Sequence, residues 1–215
     1  MTVWDYLTAG QTFDWLRTSL WLAALPVVIG LILALPIGWV ASRYQWTYPP
    51  IVSVFGILYT IPSLVLFLVL PGIIGTGILS PINVAIALTV YTLALLARTV
   101  ADGLSSVSSD TLAAASAMGY TGFQRLVRVQ LPLAVPVIGA GLRVAAVSNV
   151  SLVSVASVIG VSQLGSLFVE GYNTSAVTPT IAGLIWFIVI ALIFDAIVLV
   201  LIRLLTPWQR AVKAR

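Results

Sequence analysis

The sequence predicts an all-α membrane protein of about five transmembrane helices, and three observations predict it. Apolar residues make up 60% of the 215-residue chain and charged residues 7%, where soluble domains carry roughly 25% charged. Mean hydropathy is +1.14. Uncharged runs long enough to cross a roughly 30 Å hydrocarbon core recur along the chain, and a polar, basic island at Asp110–Pro136 separates them.

Composition also excludes chemistry. The chain has no Cys and no His, so a disulfide framework, a thiol nucleophile, a metal site and the commonest general base are not expected. The net charge of +4 does not point to nucleic acid, because the basic residues are scattered and topology accounts for them. The opening MTVWDYLTAG lacks the basic n-region of a signal peptide.

The first predicted span is Thr18 to Ala41, ended by Arg43. No charge then occurs from Tyr44 to Ala97, too long for one helix. Pro49-Pro50 opens a second span, about Ile51 to Leu70, and the turn-rich PGIIGTGILSP, Pro71 to Pro81, closes it. The third span is about Ile82 to Leu104 and carries Arg98 and Asp102 near its end. The fourth is about Val135 to Ile159, the loop Gly160 to Pro179 holds Glu170, and the fifth, Thr180 to Leu201, holds Asp195. The tail WQRAVKAR is basic. No repeat or low-complexity stretch divides the chain, so residues 1–215 read as a single domain.

The positive-inside rule orients the spans. With the C-terminus in the cytoplasm, Arg43, Arg98, Arg125, Arg128, Arg143, Arg203, Arg210, Lys213 and Arg215 fall at or near the cytoplasmic face, and only Arg17 lies outside. The expectation is a multi-pass protein of a bacterial cell membrane, N-terminus outside, with the island cytoplasmic.

Within the island, Ser109 or Asp110 is expected to cap a helix, and the Ala-rich Thr111–Met118 to form it. Gly119 suits the left-handed position after a helix. Thr121 with Gln124 fits a capping box for a second helix, Phe123 to Gln130, which Pro132 is expected to break just before the fourth span. The small side chains of Ala113, Ala114 and Ala115 would let another protein approach closely.

The spacing at this point resembles the coupling motif of ATP-binding cassette importer permeases: Glu-Ala-Ala, three residues, Gly, nine residues, Ile, one residue, Leu-Pro. Ala114, Ala115, Gly119, Leu131 and Pro132 match, Val129 stands for the usual Ile, and Ala113 departs from the family's Glu. LYTIPSLVLFLVLP, INVAIALTVYTLALLARTVADGL and IAGLIWFIVIALIFDAIVLVL are similar to spans of osmoprotectant permeases, which import glycine betaine, choline, carnitine or proline betaine. The likeness covers about 18–205, with the coupling region at 109–132. It implies a type I ABC importer permease fold. It also implies a second permease subunit, identical or a sister chain, a pair of cytoplasmic ATPases that hold the ATP and Mg, and an extracytoplasmic solute-binding protein. GYNTSAV has some flavour of methionine-importer permeases, which leaves methionine or another small amine or amino acid as the alternative cargo. The sequence lacks GxxxxGK[ST], so ATP hydrolysis is expected on another chain. An intramembrane protease is disfavoured, since His is absent and only Asp195 lies deep; a channel or purely structural membrane protein is the other class weighed.

Each remaining candidate has two readings. Asp195, costly inside a span, either lines a path or gate or pairs with Arg98 or Arg143. Arg98 and Asp102, four apart, read as a local pair. Tyr59, Phe67 and Tyr91 either offer ring faces to quaternary ammonium groups or simply pack; Pro62 and Ser63 adjoin Tyr59 and are candidates for the same path. Trp15, Trp21 and Trp208 suit the interfacial belt. Pro26, Pro36 and Pro62 are expected to kink helices, and Gly139, Ala140, Gly141 and Ala145 offer a small-residue face for a dimer seam or an internal contact.

Overall fold

The computed structural model describes residues 2–208, and every regular element among them is helical. In order these are α1 (Val3–Thr8), α2 (Gly10–Arg43), α3 (Tyr48–Thr60), α4 (Ser63–Ile74), α5 (Pro81–Ser105), α6 (Ser109–Ala117), α7 (Gly122–Arg125), α8 (Leu131–Val155), α9 (Ser166–Thr174) and α10 (Val177–Leu205). A π-helical turn, Leu126–Gln130, joins α7 to α8. Four stretches are long and apolar enough to span a membrane, and α3 with α4 makes a fifth if the bent pair counts as one. Arg210, Lys213 and Arg215 of the basic tail lie outside the described residues.

The second expected span is thus two short helices meeting at 99°. The cause is Pro62, which has no N–H to give and pushes Ile61 to an extended backbone at ψ 127°. Pro71 does not start the loop; α4 continues through it to Ile74 and ends where Gly75 adopts φ 78°. Pro26 and Pro36 do not interrupt α2, which runs unbroken for 34 residues. Pro132 does not break its helix either. The preceding turn widens so that Leu131 N–H bonds Leu126 C=O, an i→i−5 step, and the helical course from Gly122 to Val155 is continuous. A π turn absorbs the donor that proline lacks.

At the centre is α5, with Val84, Leu88, Leu96 and Val100 fully buried. Lipid tails supply no hydrophobic drive between helices, so close backbone approach must hold them. Accordingly α2 turns Gly30, Ala34 and Gly38 onto α5. A Cβ at Gly30 would sit 2.5 Å from Thr92 Cγ2, and one at Gly38 2.6 Å from Val100 Cβ. On its other side α5 meets α8, where Gly141 admits the Thr99 side chain and Asn149 Nδ2 donates to Thr92 Oγ1 at 2.8 Å. α10 lies against α8 at Gly139, whose missing Cβ makes room for Ile202. Gly139, Gly141 and buried Ala145 therefore serve internal contacts, and of that face only Ala140 is exposed.

Between α8 and α9 the chain turns back into the bundle. Gln163 is fully buried; its Oε1 accepts from Gly165 N–H at 2.6 Å and its Nε2 donates to Ser154 C=O at 3.3 Å. Ser19 Oγ of α2 accepts from Leu164 N–H at 3.0 Å. These bonds satisfy a non-helical backbone where water is scarce.

Candidate functional site

Two regions hold most of the candidate residues: the island and the break between α3 and α4. In the island the N-cap is Ser108, whose Oγ accepts from Thr111 N–H at 3.3 Å, one residue earlier than the sequence suggests. Helix α6 closes as expected. Gly119 sits at φ 86°; Gly119 N–H bonds Ser116 C=O and Tyr120 N–H bonds Ala115 C=O, a Schellman motif. The capping box is present, with Thr121 N–H donating to Gln124 Oε1 at 2.9 Å and Gln124 N–H to Thr121 Oγ1 at 3.3 Å. Arg125 Nη1 ties the second helix back to Ser116 Oγ at 2.7 Å, and Gln130 Nε2 ties it to Leu104 C=O at the end of α5 at 3.0 Å.

The motif residues divide into two sets. Ala113, Ala114 and Gly119 are exposed, whereas Ala115 is buried and Val129, Leu131 and Pro132 are half-buried where the island runs into α8. Ala115 thus offers no outward face. Three large apolar side chains that sequence reasoning passed over stand out instead: Met118 is 70% exposed, Phe123 74% and Val127 44%. Their signal was present, as large apolar residues inside an otherwise polar island.

At the α3–α4 break the structure brings together Tyr59, Tyr91, Pro62 and Ser63. Tyr91 Oη donates to the Ile61 carbonyl left free by the bend. Tyr59 meets Tyr91 edge-on, ring centroids 5.8 Å apart at 81°. Two turns further along the same face of α5 lies Arg98, and between it and Tyr59 opens a cavity of about 260 Å³ that Phe55 and Thr99 also line. Arg98 Nε lies 3.5 Å from Asp102 Oδ2, and Tyr48 Oη donates to Asp102 Oδ1 at 2.6 Å. Phe67 is not part of this group; it is fully buried in the core with Leu22 and Leu88.

Asp195 does not line that cavity. Arg143 Nε and Nη2 grip its two carboxylate oxygens, each at 2.7 Å, between α8 and α10. Arg143 is twelve residues into α8, roughly 18 Å along the axis. It therefore lies deep in its span rather than at a membrane face, held there by the carboxylate that neutralises it.

Comparison with known proteins accords with this geometry. Residues 18–207 match the family described as binding-protein-dependent transport system inner membrane component. The osmoprotectant import permease protein OsmW of Salmonella typhimurium is 35% identical over 87% of this chain and 88% of its own. The glycine betaine/carnitine/choline transport system permease protein OpuCD of Bacillus subtilis is 33% identical over 86% and 80%. Among solved structures, the inward-facing MetNI methionine ABC transporter superposes with a TM-score of 0.79 at 20% identity, covering 92% of this chain and 97% of that one. An amino acid ABC transporter with histidines gives 0.70 at 22% identity, covering 90% and 93%. With the helical bundle, the Gly119 knuckle and a match over nearly its whole length, the chain belongs to the family of inner membrane components of binding-protein-dependent transport systems, as a multi-pass permease subunit and not an enzyme.

Proposed function

We propose that this chain is the membrane subunit of an ATP-driven importer of osmoprotectants such as glycine betaine, choline, carnitine or proline betaine. The observation that carries the reading is likeness over most of the chain to permeases named for osmoprotectants, glycine betaine, carnitine and choline. The island seats a cytoplasmic ATPase, which holds the ATP and Mg, through exposed Ala113, Ala114, Met118 and Phe123. Gln130 and the continuous π-to-α course relay its movement into α5 and α8. A second permease subunit, identical or a sister chain, lies against α8. What supports this is a stripe at helical spacing, Leu133, Val137, Ala140, Val144, Val147 and Ser151, that stays exposed among the described residues. An extracytoplasmic solute-binding protein delivers the cargo to the opposite end. Residues 1–215 act as one transmembrane unit, and Tyr59, Pro62, Ser63, Tyr91 and Arg98 border the path.

Uptake by the reconstituted complex, comparing glycine betaine, choline, carnitine, proline and methionine, tests the cargo; accumulation of methionine alone would overturn it. Orientation has its own test. The native chain has no cysteine, so Ala114→Cys is a single reporter. A membrane-impermeant maleimide is expected to spare it in intact cells and to label it in inverted vesicles.

A further inference from the structure

We infer that the cavity between α3 and α5 is a binding site for a zwitterion bearing a quaternary ammonium and a carboxylate, with Arg98 taking the carboxylate and the rings of Phe55 and Tyr59 taking the ammonium. This rests on the osmoprotectant reading above and gives it a place on the permease itself.

The anion end is set by Arg98. Its side chain is 65% exposed, and its Nε lies 3.5 Å from Asp102 Oδ2, longer than a good charge-assisted bond; Tyr48 also lies against Arg98. Asp102 is meanwhile bonded at 2.6 Å by Tyr48. The guanidinium, largely exposed and lining the cavity, keeps donors to offer a second carboxylate there. The opposite wall is aromatic. Tyr59 is steadied by its edge-on contact with Tyr91, and the face of a Tyr or Phe ring attracts a quaternary ammonium. Gly56 lines the cavity beside them, and a Cβ built there meets nothing within 4 Å. The volume, about 260 Å³, falls just below the roughly 300–1,000 Å³ of drug-sized ligand pockets and suits a small metabolite. Charge selects among solutes. A bare cation such as choline meets the rings but is repelled by Arg98, and a simple carboxylate gains nothing from the rings, so a zwitterion alone uses both walls.

The full-length chain, with the subunits that co-purify, is placed in phosphatidylethanolamine/phosphatidylglycerol nanodiscs without any solute-binding protein. Labelled glycine betaine and choline are titrated in parallel. Saturable glycine betaine binding is expected, tighter than that of choline. Arg98→Gln weakens glycine betaine about tenfold or more and leaves choline binding as tight as in the parent or tighter, which also certifies the fold. Arg98→Lys, which keeps the charge without the fork, loses less, and Tyr59→Leu weakens both solutes. If Arg98→Gln and Tyr59→Leu both bind glycine betaine as the parent does, the inference is wrong. It is equally wrong if the parent binds none while the same complex, given its binding protein, imports it, or if the signal follows the phosphatidylglycerol content rather than the solute. Import of methionine and of no osmoprotectant would bring down the function proposed above, and this site with it.

Discussion

The contact of α2 with α5 and the contact of α8 with α10 join apolar helices by opposite means. In the first, Gly30, Ala34 and Gly38 bring two backbones together, and Gly38 faces both the Val100 side chain and the Ala101 backbone nitrogen, the latter 2.9 Å from where a Cβ would sit. In the second, Gly139 opposes the Ile202 side chain and no backbone, with Cδ1 and Cγ1 each 2.5 Å from where a Cβ would sit, and the Arg143–Asp195 pair bridges the same two helices. The first contact has no slack. The second is a pin with soft surroundings, the kind of joint that two bodies can use when one tilts against the other. An importer that alternates its access needs both kinds, one to keep a subunit intact and one to let part of it move.

The largest effect is expected where there is no slack. Gly38→Ala puts a methyl against backbone, and overpacking of this kind costs about 1–3 kcal/mol or more. Gly139→Ala asks the Ile202 side chain to turn about χ1, which a β-branched residue on a helix resists, but it meets no backbone, and it is expected to cost about 1 kcal/mol. Thermal unfolding of the two variants in the same detergent checks this. Equal losses would mean that the two contacts do not differ in stiffness.

Next in size is the pin. Asp195→Asn leaves Arg143 without its counter-charge inside the membrane, as Arg143→Gln leaves Asp195, and a lone intramembrane charge is the costly state. Either change is expected to lower the yield of assembled protein severalfold, and the exchange Arg143→Asp with Asp195→Arg to restore much of it. Should the exchange restore yield but not transport, the pair does more than hold two helices. Asp195→Asn with wild-type yield and uptake would show the pair to be idle.

These two contacts differ also in how far the sequence disclosed them. The span count, the Gly119 turn and the Thr121–Gln124 box could be read directly, because each depends on residues near in sequence. The pairing of Asp195 could be narrowed to Arg98 or Arg143 but not decided, since the choice depends on which helices are neighbours. Gly30 and Gly38 went unnoticed, and Gly139 and Gly141 could be read as seam or interior, for the same reason: a small residue has no meaning until its partner is known. Two local signals were passed over. Thr2 and Asp5 form a capping box that starts α1, and Leu164, Leu167 and Phe168 follow the helical spacing that places α9 inside a supposed loop. Pro132 misled because local steric preference was applied where a π turn could take up the strain.

A smaller effect is expected at the island, the proposed seat of the ATPase. At φ 86° Gly119 pays nothing for its backbone, and nothing lies within 4 Å of a Cβ placed there. Substitution therefore acts through backbone conformation alone. Gly119→Asn is expected to be nearly silent, since Asn tolerates the left-handed region, and Gly119→Val to cost on the order of 1–2 kcal/mol. Recovery of the ATPase with the purified permease is the measure. Equal recovery with Val and Asn would place the knuckle outside the docking contact.

The smallest effect concerns the far end of α10, where α1 and α9 pack on it. Tyr6 Oη donates to Glu170 Oε1 at 3.0 Å, and that bond, with burial and the charge of Glu170 adding to it, raises the Tyr6 pKa above its usual value near 10. The folded protein thus holds this proton more tightly than the unfolded chain does. Its contribution is fully present below about pH 10 and is lost as pH rises through the raised value. Parent and Tyr6→Phe unfolding midpoints, followed from about pH 8 to about pH 11, are therefore expected to differ at the lower pH and converge at the higher. The difference is small because the pair lies near the surface, where solvent screens it. A constant gap across the range would mean that the hydroxyl matters for its shape in the α1 contact and not for the proton it shares with Glu170.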